Sequence, residues 1–337
     1  MNRNDEPPSA SGRKSRPAFL PQPWKLLLPA VFAAFSLEGD QTRAEEVSIE
    51  QISLPPLRIQ GQPAKAHTQG MELVAGNCFV TARRDDVRPR QALLLRAAPS
   101  AADWDIWDIT PLDAQGVLTP LDHPGGMQSD GTRLWIPVAE SKRNGRSLVR
   151  AYRMAEMKAG QPVKSESEFL VEDHIGAVAV SAGRRLLIGA NWDTEKVYLW
   201  DFQGRLLKTL AGDDLRARGL GVVAGRGGSG VAVQDWKIVG DRLYASGLFR
   251  SSGSAGSLPE SRVLWFDAFA EPHFQRWAVK WPLQNGIQLA REAMAISDRL
   301  LHWLPEDLGA TNRMFRASVA DLPKRVLIEE STRADAP

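Results

Sequence analysis

The sequence has little cysteine: Cys78 is the one thiol among 337 residues. A single thiol cannot form an intramolecular disulfide, which excludes the class of small secreted domains that are held together by such bonds. Cys78 lies in the apolar run NCFVTA, so we expect a buried, inert thiol and not a nucleophile. The chain has 337 residues, of which 43% are hydrophobic. It can therefore bury a hydrophobic core large enough to stabilise the fold without disulfides.

The sequence also lacks an excess of either charge. It has 42 basic and 40 acidic residues, and the first 44 residues hold six of the basic and four of the acidic ones. The remainder is therefore neutral, with 36 of each. Binding to a phosphate backbone requires a basic surface, so nucleic acid is not an expected partner.

Long hydrophobic runs are missing, and the longest apolar stretch, Leu26–Leu37, is too short to span a bilayer comfortably. Basic residues precede it at Arg13, Lys14, Arg16 and Lys25, Pro29 interrupts it, and small residues follow at Thr42–Ala44. This pattern predicts a signal peptide and leader over residues 1–44 and a mature protein that begins near Glu45. We therefore expect a periplasmic or secreted protein without a stable membrane anchor after processing. An uncleaved anchor and a disordered leader are the alternatives.

Two familiar catalytic or phosphate-binding motifs are absent. No GxSxG sequence occurs, so the sequence gives no support to an α/β-hydrolase. The glycine-rich stretch Gly225–Gly230 has no Lys-Ser/Thr after it, and a flexible loop explains it better than a phosphate-binding loop. Neither motif therefore indicates a function for the chain.

What the sequence does contain is a repeat. Five segments share a small or polar start, a short apolar strand, a Gly/Ser/Asp-rich turn and a second apolar strand, and they start at His67, His123, His174, Ala232 and Leu289. The turns SDGTRLW, VGDRLY and ISDRLL are near-copies. Twelve residues after each start comes a ring-bearing or apolar residue: Phe79, Trp135, Leu186, Tyr244 and Leu301. These positions are 51 to 58 residues apart.

Four strands in each repeat of about 55 residues are typical of a β-propeller blade. We predict an all-β protein in which residues 45–337 form one propeller domain of five visible blades. Six blades are the alternative, if the N-terminal strands and the linker-rich segments form a further blade. The segment Val47–Ile59 is a candidate closing strand between the first and last blades. An open β-sandwich is the structural alternative, although it would not need the repeat.

Three motifs carry a resemblance to a known family. They are HPGGMQSDGTRLWIPVAES from His123, EDHIGAVAV with GANWDTEKVYLW, and VQDWKIVGDRLYASGL. Over roughly Gln69 to Phe266 the chain resembles a family of secreted bacterial and fungal propeller-like proteins that carry a domain of unknown function. The resemblance implies a propeller in an extracytoplasmic setting, and it implies no activity.

Histidine is rare in the chain, yet three of its five histidines start successive repeats. The inner strands of a propeller start at one face beside the central axis, so we expect His67, His123 and His174 to meet there. The fourth and fifth repeats have no histidine at the start. They carry a polar pair two and three residues later instead: Gln234 with Asp235, and Arg291 with Glu292. The second and third repeats have Gly125, Gly126, Gly176 and Ala177 there, which predicts open space. Seventeen residues after the start, where the second strand returns to this face, come Glu140 and Asn191.

Three interpretations of this group are open. The side chains could hydrogen-bond neighbouring blades and fix their register. They could line a pocket for a small molecule, with Trp135 or Trp192 as apolar support. Or His67, His123 and His174, with Asp235 or Glu292, could bind a divalent metal such as Zn²⁺ and activate water for hydrolysis.

The favoured function is binding of a small ligand or a protein partner at the histidine-bearing face. A metal-dependent hydrolase of the lactonase or esterase kind is the alternative, by analogy with other propeller enzymes. An interaction scaffold is the third hypothesis, and a flat face without a pocket would favour it.

Overall fold

A computed structural model describes residues 48–98, 101–218, 220, 230–250, 258–269 and 276–322 of the chain. They form β-strands almost throughout, with one short α-helix, α1, over Asp213–Ala217 and four single-turn 3₁₀ helices. The predicted all-β class is confirmed. Within the described residues no helix is long and apolar enough to cross a membrane. The predicted leader of residues 1–44 lies outside the described residues.

Two short elements precede the repeats. Strand β1 covers Glu50–Leu54, and a hairpin of β2 (Arg58–Ile59) and β3 (Gln62–Pro63) follows it. The first blade is the antiparallel sheet β4 (His67–Val74), β5 (Asn77–Arg84), β6 (Gln91–Ala97) and β7 (Asp105–Asp108). Its strands lie side by side in chain order, as the predicted four-stranded repeat requires.

The second and third blades follow the same plan. The second blade is β8 (Leu121–Pro124), β9 (Gln128–Ser129), β10 (Arg133–Glu140), β11 (Ser147–Arg153) and β12 (Ser167–Val171). Its inner strand is interrupted, because β8 and β9 both pair with β10. The third blade is β13 (Ile175–Ser181), β14 (Leu186–Asn191), β15 (Lys196–Asp201) and β16 (Leu206–Ala211).

The fourth blade is β17 (Gly230–Val239), β18 (Arg242–Arg250), β19 (Glu260–Asp267) and β20 (Arg276–Trp281). The fifth contains β21 (Ala293–Ser297), β22 (Leu300–Leu304) and β23 (Asn312–Ser318). Its outermost strand is β1, which pairs with β23 in the order β1-β23-β22-β21. The predicted closing segment therefore supplies the fourth strand of the last blade, and the described residues form a five-bladed β-propeller.

The hydrophobic core is divided into five clusters, one at each interface between neighbouring blades. In four of the five repeats, the apolar residue that recurs in the second strand belongs to one of these clusters. Phe79, Trp135, Tyr244 and Leu301 are buried, and Leu186 is half-buried. In the cluster between the second and third blades, the rings of Trp135 and Phe202 lie 4.9 Å apart. Each blade is thus stabilised mainly by the two blades beside it.

A buried ion pair occupies the central axis. The Asp235 carboxylate, fully buried, accepts a hydrogen bond from the Lys237 ammonium at 2.6 Å. It also accepts backbone N–H groups from Met71 in the first blade, at 3.2 Å, and Met294 in the fifth, at 3.0 Å. Lys237 donates to the carbonyl oxygen of Met127 in the second blade at 2.8 Å. Two side chains of the fourth blade therefore connect it to three others.

Further along the axis, Gln128 connects the second, third and fourth blades. Its amide oxygen accepts the N–H groups of Val180 and Ile238, each at 2.8 Å, and its amide nitrogen donates to the Ile238 carbonyl at 2.7 Å. Glu72 is buried near these groups, and its burial raises its pKa to about 8. Among the described residues, buried and hydrogen-bonded polar groups therefore lie along the axis of the propeller.

The packing of Trp135 gives a direct test of the blade assignment. The side chain is fully buried between two blades, so Trp135→Ala should lower the free energy of unfolding by about 3–5 kcal/mol in urea denaturation. Leu206→Ala is the matched control, because Leu206 is 52% exposed on an outer strand and its truncation should change stability by about 0.5 kcal/mol or less. Equal stability of the two variants would contradict the assignment.

Candidate functional site

One mouth of the central axis forms a pocket of about 290 Å³. All five blades or the segments that lead into them contribute to it. Eight lining residues lie at the start of a repeat, or two, three or seventeen residues after it: His67, Gln69, His123, His174, Asn191, Gln234, Arg291 and Glu292. The structure thus brings the three histidines together, as the repeat predicts.

The inner strands aim side chains into this pocket through β-bulges at equivalent positions. In the first, third and fourth blades, the register shifts between Thr68 and Gly70, between Ile175 and Ala177, and between Val233 and Asp235. The residues passed over are Gln69, Gly176 and Gln234, and all three line the pocket. A bulge re-aims one side chain while the strand continues, so it separates a pocket-lining residue from the axial residue that follows it.

His123 lies at the centre of the polar lining and is held as a neutral ring. The Arg83 guanidinium donates to its Nδ1 at 2.7 Å, so the ring proton is on Nε2, which donates to the amide oxygen of Gln69 at 2.7 Å. Burial lowers the pKa of His123 well below its usual value, and the nearby His174 and Arg83 act in the same direction. Both ring nitrogens are therefore satisfied by the protein.

His174 is a second neutral imidazole, next to His123. Its Nδ1 donates to the carbonyl oxygen of Glu140 at 2.7 Å, and burial lowers its pKa. The other nitrogen is then an acceptor. The ring lies edge-on to His123 at 5.1 Å and to the half-buried indole of Trp192 at 4.6 Å. Trp192 thereby provides the apolar wall of the pocket.

His67 differs from the other two because it has carboxylates beside it. Its Nδ1 donates to Asp307 at 2.6 Å, and its Nε2 lies 4.0 Å from the Glu292 carboxylate. The hydrogen bond to Asp307 raises the pKa of His67, although burial opposes it. Burial raises the pKa of Glu292 to about 7, so this carboxyl group changes its charge near neutral pH.

The charged groups of the pocket are already paired with one another. Arg291 lies 3.4 Å from Glu292, and Arg143 forms an ion pair with Asp193 at the rim. Together with the pair of His67 and Asp307, these contacts leave the pocket without an isolated strong charge among the described residues. The groups that remain for a ligand are mostly amides, imidazoles and an indole.

The metal site predicted from His67, His123, His174, Asp235 and Glu292 is not assembled. Within the part of the chain that the structure describes, no group of three or more His, Cys, Asp or Glu side chains is placed to hold a metal ion. Asp235 is fully buried in its pair with Lys237 and does not line the pocket. The register shift at Gln234 directs Asp235 toward Lys237 and the backbone of the first and fifth blades, away from the pocket.

Two other expectations also need correction. Glu140 binds the neighbouring Lys142 and Arg146 instead of lining the pocket, and only its carbonyl oxygen reaches a site residue. Gly125 and Gly126 do not make room for a ligand. A Cβ on Gly125 would lie 2.3 Å from a backbone oxygen of the third blade, and one on Gly126 would lie 2.5 Å from Asp235. Both glycines permit close packing at the axis.

Sequence reasoning missed Arg83 and Asp307, which hold His123 and His67. The position seventeen residues after the start of a repeat was expected to return to this face. Arg84 and Glu306 occupy that position, and Arg83 and Asp307 each lie one residue away from it. Arg83 and Arg84 lie in β5, where successive residues point to opposite sides, so an error of one residue selects the wrong side chain. Glu306 and Asp307 follow the end of β22 at Leu304, where the strand alternation no longer applies. Arg84 pairs with Asp86 instead.

Comparison with known proteins gives a match to one family model over part of the chain. Residues 110–262 match the model of a family of unknown function (DUF6454), which confirms the resemblance seen in the motifs over that range. No curated protein matches the chain at a significant level. The match brings no activity with it.

Several solved structures are similar to the chain at low identity. Hydrazine synthase of Kuenenia stuttgartiensis is 10% identical with a TM-score of 0.41, and the alignment covers 74% of this chain and 63% of that one. A structure described under the GH130 family of mannoside phosphorylases, with glycoside hydrolases that target β-1,2 mannosidic linkages in Candida mannan, is 10% identical, with a TM-score of 0.46 and coverage of 86% and 94%. A glycosyl hydrolase from Bacteroides ovatus is 12% identical, with a TM-score of 0.41 and coverage of 80% and 87%. At these values the structures carry no inference about activity.

The contrast between the histidines can be measured by NMR titration of their imidazole C–H signals. His67 should have the highest pKa of the three pocket histidines, and His123 and His174 should titrate below the usual value. Asp307→Asn should lower the pKa of His67, since the neutral amide stabilises the imidazolium less than the carboxylate does. Asp113→Asn, in an exposed turn outside the pocket, is the control. A pKa of His123 at or above that of His67 would contradict the arrangement.

Proposed function

We propose that the pocket binds a small, neutral, hydroxyl-rich molecule of the monosaccharide class. The observation that carries this proposal is that the charged side chains around the pocket are paired with one another. A ligand with a strong charge would have to displace one of these partners. A ligand with hydroxyl groups needs only neutral donors and acceptors, which the pocket supplies.

The polar groups suit alternating hydroxyls. His174 offers an acceptor nitrogen, since its other nitrogen is bound to the Glu140 carbonyl. Gln234 and Gln69 lie on bulges that aim them inward, and an amide both donates and accepts. Glu292, with a pKa of about 7, can donate when protonated and accept when ionised. Each group can therefore meet a hydroxyl, which is itself both donor and acceptor.

The apolar wall and the size support the same class of ligand. The half-buried indole of Trp192 borders the pocket beside His174, and an aromatic face is a suitable surface for the C–H face of a sugar ring. A volume of about 290 Å³ is at the lower end for small-molecule sites and matches a ligand of about twelve non-hydrogen atoms. A concave pocket of this kind favours a ligand-binding protein over a flat interaction scaffold.

The setting of this function is inferred from the leader. Its basic residues, short apolar run and small residues before Glu45 favour export to the periplasm or the medium, where free sugars and glycan fragments are accessible. A neutral body is consistent with such a ligand because a sugar needs no electrostatic attraction to a charged surface.

Binding can be tested by saturation-transfer NMR and calorimetry with a panel of neutral monosaccharides and, at matched size, uronates and aromatic carboxylates. At least one neutral monosaccharide should bind, and Trp192→Ala and His174→Ala should each weaken its binding about tenfold or more, as expected for the loss of a stacking surface or a hydrogen bond in a closed site. Arg205→Ala is the control, because this arginine is exposed on the outer part of the third blade.

Circular dichroism and thermal unfolding of each variant separate lost binding from lost folding. Binding of a carboxylate without hydroxyls, in the absence of binding by any neutral sugar, would contradict the proposal. Equal affinity in wild type and in both pocket variants would place the ligand elsewhere on the protein and would also contradict it.

A further inference from the structure

A second cavity lies away from the histidine pocket, between the third and fourth blades. Its volume is about 200 Å³, and its walls come from β14 to β16, α1 and the residue after it, and β17 to β19. Among the described residues, it shares no lining residue with the histidine pocket. Any ligand that it holds would therefore bind independently of the proposed sugar site.

The walls of this interblade cavity are apolar. Aliphatic side chains from the third blade, such as Val197, Leu199 and Leu210, face aromatic ones from the fourth, Trp236 and Phe266. An apolar cavity of about 150 Å³ is known to stay dry and to accept a benzene-sized molecule. The larger volume here therefore suits an apolar ligand body of about ten carbon atoms.

Among the described residues, two charged side chains line the cavity, and both are cations. Lys208 is exposed on the outer strand β16, and it pairs with no carboxylate among the described residues. Arg218 is 9% exposed and donates to the carbonyl oxygen of Asp214 at 2.8 Å. No acidic residue of the described chain lines the cavity. A ligand that combines an apolar body with one negative charge matches this lining.

A third feature is a donor in the wall. The indole nitrogen of Trp236 is buried and has no hydrogen-bond partner among the described residues. Trp281 and Trp303 have unpartnered indole nitrogens as well, but Trp236 is the one of these three that lines the cavity, where it can donate to a bound acceptor. The resonance of this indole N–H is also a local reporter for the contents of the cavity.

We propose that the interblade cavity binds a medium-chain monocarboxylate. The hydrocarbon chain lies between the aliphatic wall of the third blade and the aromatic wall of the fourth. The carboxylate lies at the side of Lys208, where a charge-assisted hydrogen bond holds it. The site is distinct from the histidine pocket in both position and ligand chemistry.

Isothermal calorimetry with decanoate tests the proposal, with decanol and decylamine as uncharged and cationic analogues. Decanoate should bind wild-type protein and shift the Trp236 indole N–H signal, which is assigned through its loss in Trp236→Phe. Decanol should bind more weakly, and decylamine should not bind. Absence of both heat and a signal shift at millimolar decanoate would overturn the proposal, as would equal affinity for the three analogues.

Substitutions locate the site. Lys208→Glu should weaken decanoate binding by about tenfold or more through loss of a charge-assisted contact and added repulsion, and this exposed position carries little risk for folding. Lys158→Glu, an exposed position on the second blade, is the matched control with the same change of charge. Unchanged affinity in Lys208→Glu would overturn the assignment.

A variant that fills the cavity gives an independent test. Val197→Phe adds a ring to the wall and should abolish decanoate binding without lowering the melting temperature, since the ring occupies existing space. If Val197→Phe fails to fold, Lys208→Glu still decides the outcome. His174→Ala should leave decanoate binding unchanged. A failure of the decanoate proposal is therefore distinguishable from a failure of the proposed sugar site.

Discussion

The ion pair of Asp235 and Lys237 is the contact on which the rest of the propeller axis depends. Its carboxylate has no exposure to water, and it is held by Lys237 and by backbone N–H groups of the first and fifth blades. A buried charge is tolerated only when it is paired and hydrogen-bonded, so the blades that supply these partners must keep their positions. Gly126 completes the arrangement, because a side chain there would displace the carboxylate.

The strands that carry the axial polar groups also line the histidine pocket, which lies at one mouth of the axis. The bulges at Gln69, Gly176 and Gln234 allow the same strands to face the pocket with one residue and the axis with the next. The interblade cavity is separate, because it lies within the apolar packing between two sheets.

Much of this fold was predictable because it repeats. The recurring turns and apolar positions indicated the four-stranded blades, the segment Val47–Ile59 indicated the closing strand, and the spacing of His67, His123 and His174 indicated their convergence. The bulges were not predicted from the repeat, and each shifts by one residue the side chains that face the pocket and the axis. Without them, Asp235 was expected in the pocket and its pairing with Lys237 was missed.

The measurement that tests this account most directly is a double-mutant cycle on the axial pair, read as free energies of unfolding in urea. Asp235→Asn and Lys237→Met should each lower the free energy by about 3–5 kcal/mol, because each leaves the other charge buried without its partner. The double variant should be more stable than the sum of the two losses predicts. Single variants as stable as wild type, or strictly additive losses, would show that the blades are held together without this pair.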